Sequence, residues 1–147
     1  MQDQRLNTRL TNYWNLLRKA QPMPEYAHLN LAAIHDIWEQ CIVYRIEQVQ
    51  AGTLPEFYFL SIGEKLASMY GRDMLGKTVS AGNKQLAGAE VLKKLPELLL
   101  EPAPIFDEGQ FVNKQHKIVK YRACLLPFGS PEGKVTHVMC GLSWREF

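Results

Sequence analysis

Two stretches near the C-terminus alternate between apolar and polar residues, and they constrain the fold more than any other feature of the chain. The alternating apolar positions are Val119, Tyr121, Ala123 and Leu125 in the first stretch and Val138, Cys140, Leu142 and Trp144 in the second. A period of two is typical of strands that bury one face. The sequence between them, residues 129–133, is rich in Gly, Pro and Ser and predicts a turn. We therefore expect an antiparallel hairpin.

The hairpin has a predictable register. Pairing Phe128 with Val135 and Ala123 with Cys140 places both apolar sets on one side of the sheet. Cys124 then faces the other side, which disfavours a disulfide between Cys124 and Cys140. That other side mixes polar and apolar residues: Lys120, Arg122, Cys124, Leu126, His137 and Met139. We expect a helix or a second subunit to cover it.

The remaining segments predict an α+β fold. Residues rich in β-branched and aromatic side chains indicate strands at 41–47, 57–62 and 104–112. Helical periodicity marks residues 3–20 and 83–100, and residues 28–38 predict a short helical or irregular connector. Another helix is predicted to begin beside Ser61, whose hydroxyl would cap it while Glu64 completes a capping box. The order is helix, two strands, short helices and three strands.

The N-terminal helix carries an apolar stripe that must be buried somewhere. Its members are Leu6, Leu10, Tyr13, Trp14 and Leu17. A symmetric homodimer would bury the stripe, and docking on the chain's own sheet would do so equally well. We assign residues 1–22 to this helix and residues 23–147 to the rest of the domain. Leu126 and Met139, on the mixed face, join the stripe as interface candidates.

Charge and cysteine content exclude several classes of protein. The chain has 147 residues with 17 Lys and Arg against 15 Asp and Glu, so no basic face for nucleic acid is expected. No apolar run is long enough to span a membrane, and the N-terminus lacks a signal-peptide core. Three widely spaced cysteines do not predict a disulfide framework. We expect a cytoplasmic protein.

No group of residues predicts catalysis or metal binding. His28, His35 and Asp36 lie in the connector without a nucleophile motif nearby. His137 and Cys140 are three apart on a strand, so they point to opposite faces and cannot share an ion. Asp107 and Glu108 also face opposite ways, and we interpret them as a solvated edge or turn. We therefore predict that the chain is not an enzyme.

Several phrases of this sequence resemble the PAS family, in the branch of small bacterial proteins common in alphaproteobacteria. They are Tyr13-Trp14, Met23-Pro24, Phe57-Tyr58-Phe59-Leu60, Tyr121 to Pro127 and Val138 to Leu142. The strongest is GEKLASMYGRDMLGKT, from Gly63 to Thr78, a short helix ending in an aromatic-Gly pair, a charged pair and Leu-Gly-Lys. The resemblance implies a five-stranded antiparallel sheet with short helices on one face.

The resemblance also implies a sensory or signalling role. It places Tyr58, Met69, Met74 and Tyr121 around the interior, where they could line a small apolar pocket or fill a closed core. PAS domains that hold haem or flavin use a dedicated His or reactive Cys on the central helices. Residues 64–100 contain neither a His nor a Cys, so haem and flavin are both disfavoured. The sequence does not identify any other cofactor.

The implied function is binding of a small molecule, of a separate signalling protein, or of a second copy in a homodimer. We expect no attached kinase, cyclase or DNA-binding segment within these 147 residues. Two other classes of protein remain open: a small enzyme or carrier with a pocket of converging polar groups, and a structural adaptor without ligand. A shift in how the N-terminal helix packs, biased by ligand or partner, is the expected mechanism.

Overall fold

The chain was analysed as a computed structural model that describes residues 2–47, 55–70, 75–78, 94–112 and 115–147. It contains the helices α1 (Gln2–Arg18), α2 (Glu64–Tyr70) and α3 (Glu97–Leu100). Short 3-10 helices cover Tyr26–His28, Leu31–Ile34 and Trp38–Gln40. The strands are β1 (Cys41–Glu47), β2 (Glu56–Ile62), β3 (Ile105–Val112), β4 (Ile118–Gly129) and β5 (Val135–Glu146).

The strands form one antiparallel sheet in the order β2-β1-β5-β4-β3. This confirms the predicted α+β fold with a five-stranded antiparallel sheet. Cross-strand pairs define two faces. We call the inner face the one that carries Ile42, Tyr44, Ala123, Leu125, Val138, Cys140 and Leu142, and the outer face the one that carries Cys41, Val43, Cys124, Leu126, Met139 and Gly141. Cys124 and Cys140 are on opposite faces, as predicted, and both thiols are free.

The predicted hairpin register is wrong by two residues. Phe128 lies opposite His137 rather than Val135, and Ala123 lies opposite Leu142 rather than Cys140. The pairing shifts between Phe128 and Gly129, where Gly129 meets Val135 and Thr136 becomes an extra residue in β5. A slip of two keeps every side chain on its predicted face, so the assignment of faces is unaffected.

The predicted Ser61 cap is also wrong. β2 continues through Ile62, so Ser61 is a strand residue paired with Val43. Gly63 separates the strand from α2, and its carbonyl accepts the Ala67 amide at 2.8 Å. Gly63, rather than Ser61, is therefore the residue that directly precedes the helix. The predicted helix over residues 83–100 falls largely outside the described residues, and α3 begins directly after Pro96.

Helix α1 lies across the outer face, over β4 and β5. The segment that follows it returns to the sheet where β3 has ended, because β3 pairs with β4 only as far as Leu125. There the Gly129 amide donates to the Pro24 carbonyl at 2.9 Å, and Glu25 forms a parallel bridge with Gly129. Residues 24–25 therefore cover the part of the β4 edge that β3 leaves open.

Candidate functional site

Helix α1 fits into a notch that a glycine creates in the outer face. Gly141 lies between Cys41 of β1 and Cys124 of β4, and a Cβ on Gly141 would overlap Cδ1 of Leu10 and come within 3.3 Å of the Cys124 sulfur. Leu10 is fully buried there, and Leu6 and Trp14 on the same side of the helix are 3% exposed. A glycine inside a strand commonly marks such a close approach. We call this contact the docking interface.

One hydrogen bond fixes the orientation of α1. The indole Nε1 of Trp14 donates to the carbonyl of Pro127 at 2.7 Å, and the bond is buried. Pro127 lies in the stretch of β4 beyond the end of β3, so no β3 residue pairs with it. A buried indole N–H needs an acceptor, and the Pro127 carbonyl, which has no β3 partner, supplies one. The bond therefore ties the helix to a part of the sheet that lacks a neighbouring strand.

The docking interface also buries polar atoms without partners. Among the described residues, Oδ1 of Asn7, Oγ1 of Thr11 and Oγ of Ser143 have no hydrogen-bond partner. Asn7 and Thr11 belong to α1, and Ser143 is on the outer face opposite Arg122. The amide of Asn7 makes only a long bond, 3.4 Å, to the carbonyl of Ala123. Each unpaired buried group costs about 1–3 kcal/mol, so the docked helix is held less tightly than its apolar contacts alone would suggest.

The residues predicted as a dimer or partner interface lie within the chain's own core. Leu6, Leu10, Trp14, Leu126 and Met139 are buried, and Tyr13 and Leu17 pack against the core at its margin. The hydroxyl of Tyr13 donates to the Asn30 carbonyl at 3.1 Å and accepts its amide at 2.9 Å. Within a single chain the apolar stripe is therefore satisfied by docking on the sheet. An interface with a partner remains a prediction, and it requires α1 to leave the sheet.

The predicted pocket residues do not share one wall. Tyr121 is buried on the inner face opposite Trp144, whereas Tyr58 pairs with Arg45 on the outer face. The difference arises because Phe57 and Phe59 take the inner positions of β2, which leaves the residue between them pointing outward. Met74 and the side chain of Met69 lie outside the described residues. The pocket itself stays a prediction.

Three polar side chains, including that of Tyr121, converge on the inner face, and sequence reasoning missed this arrangement. Asp107 accepts a hydrogen bond from the Tyr121 hydroxyl at 3.3 Å and forms an ion pair with Lys94 at 3.2 Å. Asp107 lies on the edge strand β3, as predicted, but its side chain is only 17% exposed, so the prediction that it is solvated is wrong. Glu108, its neighbour, is exposed and pairs with Arg122 on the outer face. We call Lys94, Asp107 and Tyr121 the inner polar cluster.

Gly109 is the sequence feature that could have indicated the inner polar cluster. Gly109 lies directly opposite Tyr121, and a Cβ at Gly109 would come within 2.8 Å of the Tyr121 hydroxyl. The missing side chain gives the phenol ring room to reach along β3 toward Asp107. Lys94 lies 13 residues from Asp107 in sequence, and no spacing rule connects it to a strand residue.

A row of planar side chains crosses the outer face at the β1–β2 end. The Arg45 guanidinium lies 4.8 Å from the Tyr58 ring centre and forms an ion pair with Glu47. Arg45 is paired across the strands with His137, whose ring stacks on Tyr26 with centres 3.5 Å apart. Burial lowers the pKa of His137 to about 4, and the positive charge of Arg45 acts in the same direction. His137 is therefore neutral at physiological pH.

This pKa predicts how stability depends on pH. Between pH 6.5 and about 4 the unfolded chain binds a proton at His137 that the native protein does not bind, so stability falls as the pH falls. His137→Phe keeps a stacking ring and removes this titration. Below pH 4 we expect the variant to gain about 1–2 kcal/mol relative to the native sequence, a value reduced because the imidazole is only half buried.

Urea unfolding from pH 3 to pH 8 measures the effect as the difference between the two proteins. The difference removes contributions from other acids, such as Asp36 and Glu132, whose pKa values are also shifted. Parallel curves for the two proteins would show that His137 titrates normally in the folded state.

Burial keeps the cysteines in their unreactive form. It raises the pKa of the Cys124 thiol to about 12, and it raises the pKa values of Cys41 and Cys140 as well. Protonated, enclosed thiols are poor nucleophiles and poor metal ligands. In the described part of the chain, no group of three His, Cys, Asp or Glu side chains is arranged to hold a metal ion.

Comparison with known proteins identifies the class. A family model described as PAS domain matches residues 2–143, which include all five strands of the antiparallel sheet up to Ser143 of β5. The chain belongs to the PAS domain family, whose members are sensory and signalling modules. No curated protein matches its sequence. Across the described ranges, no helix combines the length and apolarity needed to cross a membrane.

Solved structures share this fold at low sequence identity. A light-oxygen-voltage domain studied with a flavin analogue has a TM-score of 0.54 at 11% identity, covering 78% of this chain and 83% of its own. The PAS domain of Bordetella pertussis BvgS has a TM-score of 0.51 at 14% identity, covering 96% and 88%. The dark structure of the Aureochrome1 light-oxygen-voltage domain has a TM-score of 0.52 at 10% identity, covering 82% and 83%.

These similarities bear on the cofactor prediction. Two of the three structures are light-oxygen-voltage domains, and one was studied with a flavin analogue. The similarity establishes the fold and gives no support to the prediction that haem and flavin are disfavoured. Most of the central stretch on which that prediction depends, residues 71–93, lies outside the described residues apart from 75–78.

Proposed function

We propose that this PAS domain is a binding module whose output is the docking state of α1 on the outer face. A small molecule at the inner face, or a partner protein, shifts the helix between docked and released states. In the released state the helix exposes Leu6, Leu10 and Trp14, which then bind a second copy or a separate signalling protein. We keep the sequence-based expectation of a bacterial, cytoplasmic protein without catalytic activity as part of this proposal.

The observation that carries the proposal is the composition of the docking interface. Leu10 in the Gly141 notch and the Trp14–Pro127 hydrogen bond favour docking, whereas the unpaired oxygens of Asn7 and Thr11 oppose it. The unpaired oxygens offset part of the stabilisation that docking provides, which lowers the free energy that a ligand or partner must supply to release the helix. The inner polar cluster supplies the polar groups with which a ligand could be held on the opposite face.

Trp14→Phe tests whether α1 docks as a unit that can be released. The change keeps a large ring and removes the donor to Pro127, so we expect a loss of about 1–2 kcal/mol for docking. Amide hydrogen exchange in α1 should then accelerate by about 5–30-fold while β4 and β5 keep their protection. The matched control is Tyr13→Phe on the same helix, which loses only exposed hydrogen bonds and should change exchange by less than about twofold.

Two further measurements address the partner and the ligand. Sedimentation of Trp14→Phe should show a larger fraction of dimer than the native sequence if the released stripe binds a second copy. Native mass spectrometry of protein purified from its own host should show a retained small molecule.

Equal acceleration of amide hydrogen exchange in α1, β4 and β5 would show that the helix unfolds with the sheet, and the docking switch would then be rejected. Protein that carries no added mass would favour the adaptor alternative.

A further inference from the structure

A recess of about 420 Å³ lies between the end of β1, the segment after α3 and the β4–β5 turn. Its walls are mainly apolar and come from Ile46, Pro55, Leu99, Pro102 and Val135. Volumes of this order are common for small-molecule sites.

The backbone around the recess is fixed before any ligand arrives. Pro55 and Pro102 have restricted φ angles and provide rigid walls. The β4–β5 turn is closed by the Ser130 amide donating to the Lys134 carbonyl at 2.9 Å and by the Gly133 amide donating to the Ser130 carbonyl at 2.9 Å. Gly133 has a φ of +85°, which an L-residue adopts only with strain. A preformed site loses little conformational entropy on binding.

Two polar residues line the otherwise apolar recess. Thr136 is the extra residue of the β5 bulge, and its hydroxyl oxygen lies 2.8 Å from Nδ1 of His137. Lys134 is exposed, and its ammonium forms no ion pair within the described residues. An apolar recess with one uncompensated cation and one hydroxyl matches a ligand that has an apolar body and a carboxylate.

We propose that this recess binds an aliphatic monocarboxylate, with the hydrocarbon chain between Ile46, Leu99 and Val135 and the carboxylate at Lys134. A six-carbon acid has about eight non-hydrogen atoms, which occupy about 240 Å³ at about 30 Å³ each, so it fits the volume. The site is separate from the inner polar cluster, since Asp107 and Tyr121 lie toward the β3 edge of the sheet. It does not depend on the movement of α1 and goes beyond the function proposed above.

The test is a titration of the ¹⁵N-labelled full chain with hexanoate, followed by amide chemical shifts. Shifts should concentrate at Leu99, Gly133, Val135 and Thr136. Lys134→Gln should weaken hexanoate binding by about fivefold, the value for a partly exposed charge contact, and leave hexan-1-ol binding unchanged. The matched control is Lys120→Gln, because Lys120 lies near the opposite end of β4, over the Phe147 ring. That variant should bind hexanoate like the native sequence.

Three results would overturn the proposal. They are hexylamine binding as tightly as hexanoate, hexanoate shifts that concentrate at Tyr121 and Ala123 instead of the β4–β5 turn, and no saturable shift at millimolar hexanoate. A second variant, Leu99→Trp, fills the recess and should abolish binding of both hexanoate and hexan-1-ol. If Leu99→Trp does not fold, the hexanoate affinities of Lys134→Gln and Lys120→Gln still test the proposal. Both lysines are exposed, so neither substitution should prevent folding.

Discussion

Replacing Gly63 by alanine is expected to prevent the protein from reaching its native structure. A Cβ at this position would overlap the carbonyl oxygen of Trp38 and lie 2.6 Å from the carbonyl carbon and 2.8 Å from the Cα of Glu39. All three are backbone atoms, so no side-chain rotation can relieve the collision. The amide of Gly63 also donates to the Cys41 carbonyl at 2.8 Å, which anchors the start of β1. We expect a loss above about 4 kcal/mol, much of the stability of an ordinary domain.

The matched control for Gly63 is Gly133→Ala. Gly133 has a φ of +85° and open space around its Cα, so alanine there adds backbone strain without a collision. We expect the control to lose about 1 kcal/mol and to remain folded. Circular dichroism and urea unfolding distinguish the two variants. A Gly63→Ala protein as stable as Gly133→Ala would mean that Trp38–Gln40 does not approach α2 in solution as described.

The alternation of apolar and polar residues predicted the two faces of the hairpin correctly, because every second residue of a strand points to the same face and one face is buried. Val119, Tyr121, Val138 and Cys140 all lie on the predicted side. The same pattern did not determine the register, since a slip of two residues leaves every side chain on its face. One residue of the slip arises because Val135 pairs with Gly129 instead of Phe128, and the other because Thr136 is an extra residue in β5. Local hydrophobicity carries no information about such a bulge.

The contacts that matter most for function join segments far apart in sequence. Leu10 and Gly141 meet across the docking interface, and Lys94 meets Asp107 beside Tyr121. Sequence periodicity identified Leu10 as apolar and predicted that it must be buried, but it left a partner subunit and the chain's own sheet equally open. Glycines in strands are the best local indicators of such approaches: Gly141 admits a leucine and Gly109 admits a tyrosine.

Contacts between segments distant in sequence also explain why the predicted helix cap at Ser61 is wrong. Ser61 followed by Glu64 matches the capping-box pattern, and the pattern alone favours a helix that begins at Ser61. Pairing of Ser61 with Val43 extends β2 instead, and the Gly63 amide, which a Ser61 cap could have satisfied, donates to the Cys41 carbonyl. Tertiary pairing overrode a local signal, and a glycine in close contact with Trp38 and Glu39 became the boundary.

Leu10→Val and Gly141→Ala are expected to destabilise the protein separately and to compensate each other together. Leu10→Val removes the Cδ1 atom that fills the notch and should cost about 1–2 kcal/mol by leaving a void. Gly141→Ala adds a Cβ where Cδ1 lies and should cost about 1–3 kcal/mol by overpacking. In the double variant the new Cβ occupies the space that the shorter side chain vacates. We expect it to be more stable than the sum of the single changes by at least about 1 kcal/mol.

This double-mutant cycle of Leu10→Val and Gly141→Ala tests the docking interface more directly than deleting α1, because deletion would expose the core of the sheet. Urea unfolding of the four proteins gives the coupling free energy, and hydrogen exchange in α1 shows whether it belongs to docking. The matched control pairs Leu10→Val with Gly133→Ala, whose site in the β4–β5 turn has open space around it, and should be additive. Additive effects for Leu10 and Gly141 would show that the helix does not occupy the notch. The α1 amides should also exchange more slowly in the double variant than in Gly141→Ala alone. That result would show that the notch controls the docked state on which signalling by the domain is proposed to depend.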